Sequence, residues 1–340
     1  MDPLTHALSG YAIARAVPKQ AIPKRQVALI VLLAMAPDLD YVLSLVSDTV
    51  YLHYHRGVTH SLLMLPLWTW LIYSLMPARR DKQPLMPWLI AAALAMHILL
   101  DLITSFGTMI FAPLSDYRYS FDLVYIIDLL FTGILGLPLL IALFWRRLAR
   151  PLAILGLAGM SGYLLLTITT HEKALSIARQ QQPNAQEVYS LPQPFSPFRW
   201  HLIARYPDNY RQAIVNLWPG FNGSSLLFPK GFVQRYTAAV RPASRLTWQQ
   251  MPRMHTYAGL EELPGVHFYR WFARFPVVLK RHGERPEFGD LRFGAGLYPD
   301  SPFRLLVDRQ QERAWIIWRD HRSPITTRDD KVTENRSWQP

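Results

Sequence analysis

Apolar runs long enough to cross a lipid bilayer fill the first half of this 340-residue chain, and the second half contains none. A transmembrane helix needs about 20 consecutive, mostly apolar residues, and backbone inside a bilayer must satisfy its own hydrogen bonds. The sequence therefore predicts a polytopic α-helical membrane domain of five to six helices over residues 1–172. The predicted spans are Val27–Val46, Ser61–Met76, Leu85–Ser105, Leu123–Trp145 and Pro151–Thr170, preceded by a shorter apolar helix at Leu4–Val17.

Basic residues alternate between the connections that join these runs. Lys and Arg are retained on the cytoplasmic side of short loops, whereas the intervening loops hold only Arg56 and Arg118. We therefore expect a multi-pass protein of the plasma membrane in which everything after Thr170 is extracytoplasmic. The basic connections contain Arg15, Lys19, Lys24 and Arg25, then Arg79, Arg80 and Lys82, then Arg146, Arg147 and Arg150.

Carboxylates and imidazoles gather at the opposite, outer ends of the predicted spans. Charged groups at membrane depth are costly, so they normally face a cavity, pair with one another or serve a function. Each residue taken by itself also fits a structural role, such as an interfacial histidine, a helix-terminal aspartate or a hydrogen-bonded pair between helices. Their concentration at one membrane face favours a shared functional site over separate structural roles. The residues are Asp38, Asp40, His53, His55, His60, His97 and Asp101.

Spacing within two segments favours a shared cation. In AMHILLDLITSFGT, His97 and Asp101 are four residues apart, so on a helix their side chains project from one face. In LLAMAPDLDYVL, Pro37 removes a helical hydrogen bond and predicts a broken segment. Such a break lets Asp38 and Asp40 converge on one ion, or leaves one as the ligand and the other as its support.

The segment HYHRGVTHS, residues 53–61, packs three histidines and an arginine into a predicted membrane boundary. Gly57 permits a tight turn, and His60 would then lie in the first turn of the next helix, facing the same pocket. We expect His53 outside the pocket, Arg56 at its mouth, and Arg118 as a second holder of anions. Ligands of clustered ions should lie within about 8 Å of one another, and those expected here are His60, His97, Asp101 and Asp38, with His55 as a further candidate.

The donor set indicates the kind of metal. Neutral imidazole and carboxylate ligands suit Zn²⁺, with Mn²⁺ or Fe²⁺ as alternatives. The chain contains no cysteine, which excludes a disulfide framework and any cysteine-based metal site or nucleophile. Two or three ions about 4 Å apart would activate water and clamp a phosphoryl oxygen. In that mechanism Asp40 or another unliganded carboxylate is the general base, and Arg56 is the phosphate clamp.

Four segments also resemble the signature blocks of a known family. MDPLTHALSG, APDLDY, HRGVTHS and HILLDLITSFGT stand in the order found in the YdjM/DUF457 family of bacterial inner-membrane metal-dependent hydrolases, and they cover most of residues 1–110. That family is distantly similar to the zinc-dependent phospholipase C and P1 nuclease group, whose helix-borne His-x3-Asp motif is matched by His97 and Asp101. The resemblance implies metal-ligand roles for His6, Asp38, His60, His97 and Asp101, with Asp40 and His55 as further candidates.

Residues 173–325 predict a soluble, mainly antiparallel β domain. Short runs alternate apolar with polar residues, as half-buried strands do, and DRQQER between the last two predicts a hairpin turn. The excess of Lys and Arg suits anionic lipid headgroups or plain solubility, and the outer location disfavours nucleic acid. Polar residues 326–340 predict a disordered tail. The runs are WHLIARY, RQAIVNLW, VHFYRWFARFPVVL, DLRFGAGLY, FRLLVD and RAWIIW.

Three functions fit these features. The first is a metal-dependent hydrolase of a phosphoester in a membrane lipid or lipid-linked substrate. The second is an ion-coupled transporter, in which the same residues relay protons or bind the coupling cation. The third is a non-catalytic membrane scaffold with a structural metal. Ligands confined to one face, and the lack of a detectable inverted repeat, favour the hydrolase over the transporter.

Overall fold

The architecture has a helical N-terminal part followed by a mainly antiparallel β domain, in agreement with the sequence. The predicted tail at 326–340 and the basic loop with Arg79, Arg80 and Lys82 lie outside the described residues. The structure is a computed structural model that describes residues 1–77, 84–221, 229–257, 259, 265–280, 285–297, 301, 303–308, 310, 313–318 and 321–325.

Seven α-helices form the described helical part. Asp2 begins the first of them, because its carboxylate accepts a hydrogen bond from the Thr5 backbone N–H. Three 3-10 helices lie between the α-helices, at Ala36–Leu45, Val58–His60 and Arg146–Leu148. The α-helices are α1 (Pro3–Ala16), α2 (Lys24–Met35), α3 (Asp48–Tyr54), α4 (Leu65–Leu75), α5 (Met86–Leu102), α6 (Leu129–Phe144) and α7 (Ala149–Gln181).

Two helices within the described ranges are long and apolar enough to cross a membrane. They are Lys24–Leu45, which joins α2 to the 3-10 helix after it, and Arg146–Gln181. The pair Asp48–His60 and Leu65–Leu75 is bent by 76° and would make a third if it counts as one span. The predicted count of five or six spans is not confirmed. Helices α5 and α6 have only 17 and 16 residues, because the ends of those apolar runs form non-helical backbone.

Pro37 changes the helix type without separating the two segments. The α-helix ends at Met35, and the chain continues as a 3-10 helix with Pro37 in its first turn. A ten-residue 3-10 helix is long for its type, and it brings a carboxylate oxygen of Asp38 within 4.8 Å of one of Asp40. Beside it, α1 and α2 approach closely, because a Cβ atom on Gly10 would lie 2.6 Å from the Ala34 Cβ.

Two sheets make up the β domain. One has the order β1-β2-β3-β4 with β5 also paired to β3, and the other has the order β10-β9-β8-β7-β6. Among the described strands the pairing of β3 with β4 is parallel and the other pairings are antiparallel. The strands are β1 (Glu187–Pro192), β2 (Arg199–Arg205), β3 (Asn209–Asn216), β4 (Val240–Pro242), β5 (Gln249–Pro252), β6 (Pro276–Lys280), β7 (Glu287–Asp290), β8 (Phe303–Asp308), β9 (Arg313–Trp318) and β10 (His321–Ile325).

Several predicted strands formed, and two formed only in part: PVVL at the end of VHFYRWFARFPVVL lies in β6, and the Asp290 that starts DLRFGAGLY ends β7. The runs at β2, β3, β8 and β9 are strands, and Asp308 pairs with Arg313 as the predicted hairpin requires. Residues Val266–Phe272 instead form a helix, α9, because the buried Val266, Tyr269 and Phe272 recur at helical spacing. Most of DLRFGAGLY is also not a strand: β7 ends at Asp290, and Leu291–Phe293 form a 3-10 turn. A further helix, α8, covers Lys230–Thr237.

The β domain packs against one end of the helical part. Helix α7 runs past residue 172, where the sequence places the domain boundary, and leads into β1. At the same end, Arg274 pairs with Asp122 through Nη1 and Oδ2 at 2.7 Å. Arg292 Nη1 donates a hydrogen bond to the Phe106 carbonyl at 3.0 Å. Both contacts reach the loop that follows α5, so the second sheet lies over that loop.

Candidate metal centre

Four side chains converge at the end of the helical part that faces the β domain. One possible ligand atom from each of Asp38, His60, His97 and Asp101 lies within 4.8 Å of the others. His60 Nε2 lies 3.0 Å from His97 Nε2, 3.1 Å from Asp101 Oδ2 and 3.4 Å from Asp38 Oδ1. The structure thus brings together the four residues that the sequence expected within about 8 Å of one another.

Three elements supply this group. His97 and Asp101 lie one turn apart near the end of α5 and are fully buried, as their four-residue spacing requires. Asp38 comes from the 3-10 helix after α2, and its side chain remains 26% exposed. His60 ends the short 3-10 turn Val58–His60. An added Cβ on Gly57 would lie 2.8 Å from the Tyr54 carbonyl oxygen, so this turn needs glycine.

Hydrogen bonds to the Nδ1 atoms orient both histidines. His97 Nδ1 donates to the Ala34 carbonyl at 2.7 Å, and His60 Nδ1 lies 2.9 Å from Thr59 Oγ1. Because the Thr59 hydroxyl donates to Asp40 Oδ2 at 3.0 Å, it accepts from His60. In neutral rings both Nε2 atoms then carry lone pairs, and they face each other at 3.0 Å. A cation between them removes that repulsion, and this orientation by a second partner is typical of metal-bound histidine.

His6 lies directly beside the four-residue group. Its ring stacks on His97 with centroids 3.8 Å apart, and its Nε2 lies 3.5 Å from Asp101 Oδ1 and 3.8 Å from Asp38 Oδ2. Within the described part of the chain, neither His6 ring nitrogen makes a hydrogen bond, although the residue is fully buried. A buried polar atom without a hydrogen bond is costly, and a metal ligand role would satisfy it.

Asp40 and His55 form a second group with Asp38, whose ligand atoms also lie within 4.8 Å of one another. Asp40 Oδ1 lies 2.7 Å from His55 Nδ1, while its Oδ2 accepts from Thr59 Oγ1 and from the Arg56 backbone N–H. This carboxylate therefore orients His55 and holds the turn that carries His60. Asp38 belongs to both groups and joins them.

Arg56 does not lie at an exposed mouth, as the sequence suggested, but inside the protein at 2% exposure. Its backbone has a left-handed φ of 61°, which non-glycine residues rarely adopt unless neighbouring contacts hold them there. Its Nη2 donates to Asp101 Oδ1 at 2.7 Å, and its Nη1 donates to Thr104 Oγ1 at 3.0 Å. The turn at Arg56 directs the guanidinium inward, where it neutralises Asp101.

The two other singled-out side chains of this region lie outside the group. Arg118 Nη2 donates to the Leu52 and His55 carbonyls, so it supports the loop instead of facing an anion site. His53 packs against Trp271 with ring centroids 4.7 Å apart, which agrees with its expected place outside the pocket.

Sequence reasoning missed several contributors because their contacts depend on distant packing. Thr59 and Thr104 hydrogen-bond to Asp40 and Arg56, yet a threonine hydroxyl carries no pattern that singles it out. The buried Met1 amine donates a hydrogen bond to Asp101, and a terminal amine likewise gives no sequence signal. The Ala34 carbonyl orients His97, and because every residue has a backbone carbonyl, the sequence does not single this one out.

The sequence model of the YdjM inner membrane proteins matches residues 1–174, a range that contains all of these site residues. The chain belongs to the YdjM inner membrane protein family. Membership and the apolar helices together support a membrane location. They do not extend to the phospholipase C and P1 nuclease group, so that similarity stays a prediction.

One relative shares part of this sequence. YfhP, an uncharacterized protein of Bacillus subtilis (strain 168), is 31% identical over 99 residues, which are 28% of this chain and 30% of YfhP. The match therefore spans less than a third of either protein. No solved structure matches the chain.

Proposed function

We propose that this YdjM-family protein is an integral-membrane, metal-dependent hydrolase that acts on a phosphoester in a lipid or lipid-linked substrate. The observation that carries the proposal is the buried group at Asp38, His60, His97 and Asp101, in which two Nε2 atoms face each other 3.0 Å apart beside two carboxylates. Such a concentration of ionisable groups beside apolar helices is costly unless it serves a function.

The donor set fits a divalent cation. Imidazole nitrogens and carboxylate oxygens without thiolate suit zinc, with manganese or iron as alternatives. Asp101 Oδ2 and both His6 ring nitrogens are buried without a hydrogen bond among the described residues, so this carboxylate oxygen and the unprotonated His6 nitrogen are available as metal ligands. When bound, a cation of this kind polarises a phosphoryl oxygen and activates water as a nucleophile.

The protein's own groups then divide the work. Arg56 holds Asp101 Oδ1 and so directs Oδ2 toward His60 and His97. Asp40 accepts the His55 Nδ1–H, which leaves His55 Nε2 with a lone pair. We propose Asp40, acting directly or through the His55 ring, as the acceptor of the proton that water loses. Arg56 supports the site by holding Asp101 in place. Because its guanidinium is buried against Asp101 and Thr104, it does not bind the phosphate directly.

We also propose that the protein is a multi-pass protein of the bacterial inner membrane with its β domain outside the cytoplasm. Arg15 lies in the last turn of α1 while His6 lies in the first half, so basic residues and cluster occupy opposite ends of this helix. Arg150 donates to the Ala16 carbonyl at that same basic end. The positive-inside rule places the basic end in the cytoplasm, and the cluster and β domain on the other side.

Reporter fusions test this orientation. Alkaline phosphatase fused after Pro340 should be active, because that enzyme folds only outside the cytoplasm, whereas a fusion at Arg80 should be inactive. A fluorescent protein that matures only in the cytoplasm provides the reciprocal control at both positions. An inactive phosphatase together with bright fluorescence at Pro340 would place the β domain in the cytoplasm and reverse the proposal.

Hydrolysis by the purified, metal-loaded protein tests the activity. Release of phosphate or headgroup from phospholipid vesicles, and cleavage of the soluble diester bis(p-nitrophenyl) phosphate, should both stop on chelation and return with zinc. Asp101→Asn should lower the rate by more than about 100-fold, since even supporting residues of metal sites cost 10-fold to 100-fold. Asp48→Asn, on α3 and outside both groups, should retain the rate. Hydrolysis that survives complete chelation would refute the mechanism.

A further inference from the structure

Helix α7 marks where the hydrocarbon layer ends beside the β domain. Residues 151–170 of this candidate span contain no Asp, Glu, Lys, Arg or His, and the next carboxylate is Glu172. Within that stretch Leu165 and Ile168 are exposed at the helix surface, as lipid-facing residues are. At 1.5 Å per residue the stretch is about 30 Å long, which equals the thickness of the hydrocarbon layer. Thr170 therefore lies at the outer edge of that layer.

The sheet that contains β2 and β3 has one end at this edge. Thr170 Oγ1 donates a hydrogen bond to the Pro197 carbonyl at 2.8 Å, just before β2 begins. Just past the other end of β2, the Tyr206 hydroxyl donates to Gln182 Oε1 at 2.8 Å. Strand β2 therefore runs along α7 away from the membrane, and the antiparallel β3 runs back toward it. The residues that precede β2 and those that follow β3 form the membrane-proximal end of the sheet.

Three aromatic side chains cluster at this membrane-proximal end. The Leu217 backbone N–H donates to the Phe198 carbonyl at 2.9 Å, so Trp218 lies beside the segment that contacts Thr170. The Trp218 ring centroid is 5.0 Å from that of Phe198 and 5.7 Å from that of Phe221. Trp218 is 55% exposed, and within the described part of the β domain it is the one large apolar side chain with most of its surface exposed.

The two segments at this end contain no charged residue. They read QPFSPF at 193–198 and LWPGF at 217–221. The turn at the opposite end of the sheet, between β2 and β3, contains Asp208, whose side chain is 81% exposed. Tryptophan is enriched at membrane–water interfaces because its ring is apolar and its N–H is polar, whereas charged groups are costly there at acyl-chain depth. The sheet thus presents its uncharged, aromatic end to the bilayer and its charged end to water.

We infer that Phe198, Trp218 and Phe221 anchor the β domain to the lipid headgroups around α7, with the exposed Trp218 ring at the boundary between headgroups and acyl chains. The bilayer fits as the partner because this uncharged surface continues the lipid-facing surface of α7 across Thr170. The inference goes beyond the proposed hydrolysis and depends on α7 crossing the membrane, not on any activity. Cover of Trp218 by a protein is a separate outcome of the test.

Spin labelling measures the depth of this end, because the chain contains no cysteine that would compete for the label. A nitroxide is attached at Gly220→Cys, which keeps Trp218. Outside its chain neighbours, the nearest atom to an added Cβ there is the Trp218 Nε1 at 3.6 Å, an ordinary contact. The full-length protein is placed, one copy per nanodisc, in phosphatidylethanolamine and phosphatidylglycerol. Accessibility to oxygen, which concentrates in the bilayer, is compared with accessibility to a nickel–EDDA complex, which stays in water.

Labels at Leu165→Cys and Asp208→Cys provide the lipid-facing and the water-facing reference. The ratio of oxygen to nickel accessibility at position 220 should exceed the ratio at position 208 and approach that at position 165. A ratio equal to that at position 208 would place the aromatic cluster in water and overturn the inference. Low accessibility to both reagents would show that protein covers the cluster, which also overturns it.

Two substitutions of Trp218 in the labelled protein test whether its ring holds this end at the bilayer. Trp218→Asp should lower the ratio at position 220 toward that at position 208, because a carboxylate favours water over the interface. Trp218→Tyr is the matched control and should keep the ratio, since tyrosine is also an interfacial residue. An unchanged ratio in the Trp218→Asp variant would show that the ring is not an anchor.

Photolabelling of the unmodified protein supplies a test that needs no substitution. A phospholipid with a diazirine close to its glycerol is included in the same nanodiscs, and adducts are mapped by mass spectrometry. Adducts should form on residues 193–198 and 217–221 and be absent from the turn at 206–210. Equal labelling of both ends of the sheet, or labelling of α7 without the aromatic segments, would contradict the inference.

Discussion

Replacing His97 by alanine should abolish the divalent-metal binding that we propose for the cluster. The His97 Nε2 is oriented into the cluster by the Ala34 carbonyl and lies 3.4 Å from Asp101 Oδ2 and 3.6 Å from Asp38 Oδ1. Loss of a supporting residue weakens metal binding 10-fold to 100-fold, so loss of a direct ligand should exceed about 100-fold. Elemental analysis of detergent-purified protein measures this as stoichiometric zinc, manganese or iron that disappears in the variant.

The matched control for that measurement is His53→Ala. His53 belongs to the same HYHRGVTHS segment but packs against Trp271, away from the cluster. This variant should keep the full metal content and so separate loss of a ligand from general damage to the loop. Protein purified without chelator that contains no metal, or equal metal in the His97→Ala variant, would contradict the assignment of a metal centre.

Asp290→Ala should destabilise the β domain by about 3–5 kcal/mol, the usual cost of removing one partner from a buried ion pair. Asp290 is fully buried. Its carboxylate accepts from Arg292 Nε at 2.8 Å, from the Arg292 backbone N–H at 2.9 Å and from the Arg274 backbone N–H at 3.0 Å. Without it, the buried Arg292 guanidinium loses its counter-ion. Since Arg292 also holds the Phe106 carbonyl, the contact between domains should weaken as well.

The comparison for this prediction is Asp208→Ala, elsewhere in the β domain. Asp208 Oδ1 lies 3.8 Å from His255 Nε2, but the Asp208 side chain is 81% exposed, so solvent screens the pair. Loss of this exposed pair should lower the free energy of unfolding by less than about 1 kcal/mol. Denaturant unfolding of the detergent-purified proteins, followed by tryptophan fluorescence, measures both changes. Similar losses in the two variants would show that burial of the Asp290 pair is not what stabilises this region.

Local features of the fold and the site could be read from the sequence because they depend on a few consecutive residues. The four-residue separation of His97 and Asp101 places them on one helix face whatever surrounds that helix. Pro37 alters its helix because its ring removes a backbone donor. The apolar runs and the alternating strands likewise separate a helical part from a β part through side-chain periodicity.

Span lengths and strand identity depended on packing. Two of the apolar runs form helices of only 17 and 16 residues, because the remaining residues of each run lie in loops at the cluster end. Val266–Phe272 satisfies both a strand and a helix pattern, and in the structure it is a helix that buries Val266, Phe268, Tyr269, Trp271 and Phe272. Short apolar runs are ambiguous in this way because periodicity over a few residues does not distinguish the two structures.

The sequence by itself determined which residue types meet at one end of the helical part, since its charge pattern separates carboxylate and imidazole from the basic loops. Only the tertiary structure decided their partners: Arg56 turns inward to Asp101, and Asp40 holds His55. Those contacts join residues 45 and 15 positions apart. Their geometry follows from how closely α1 and α2 pack and from the β domain that covers the loop, and neither is encoded in the spacing of any one segment.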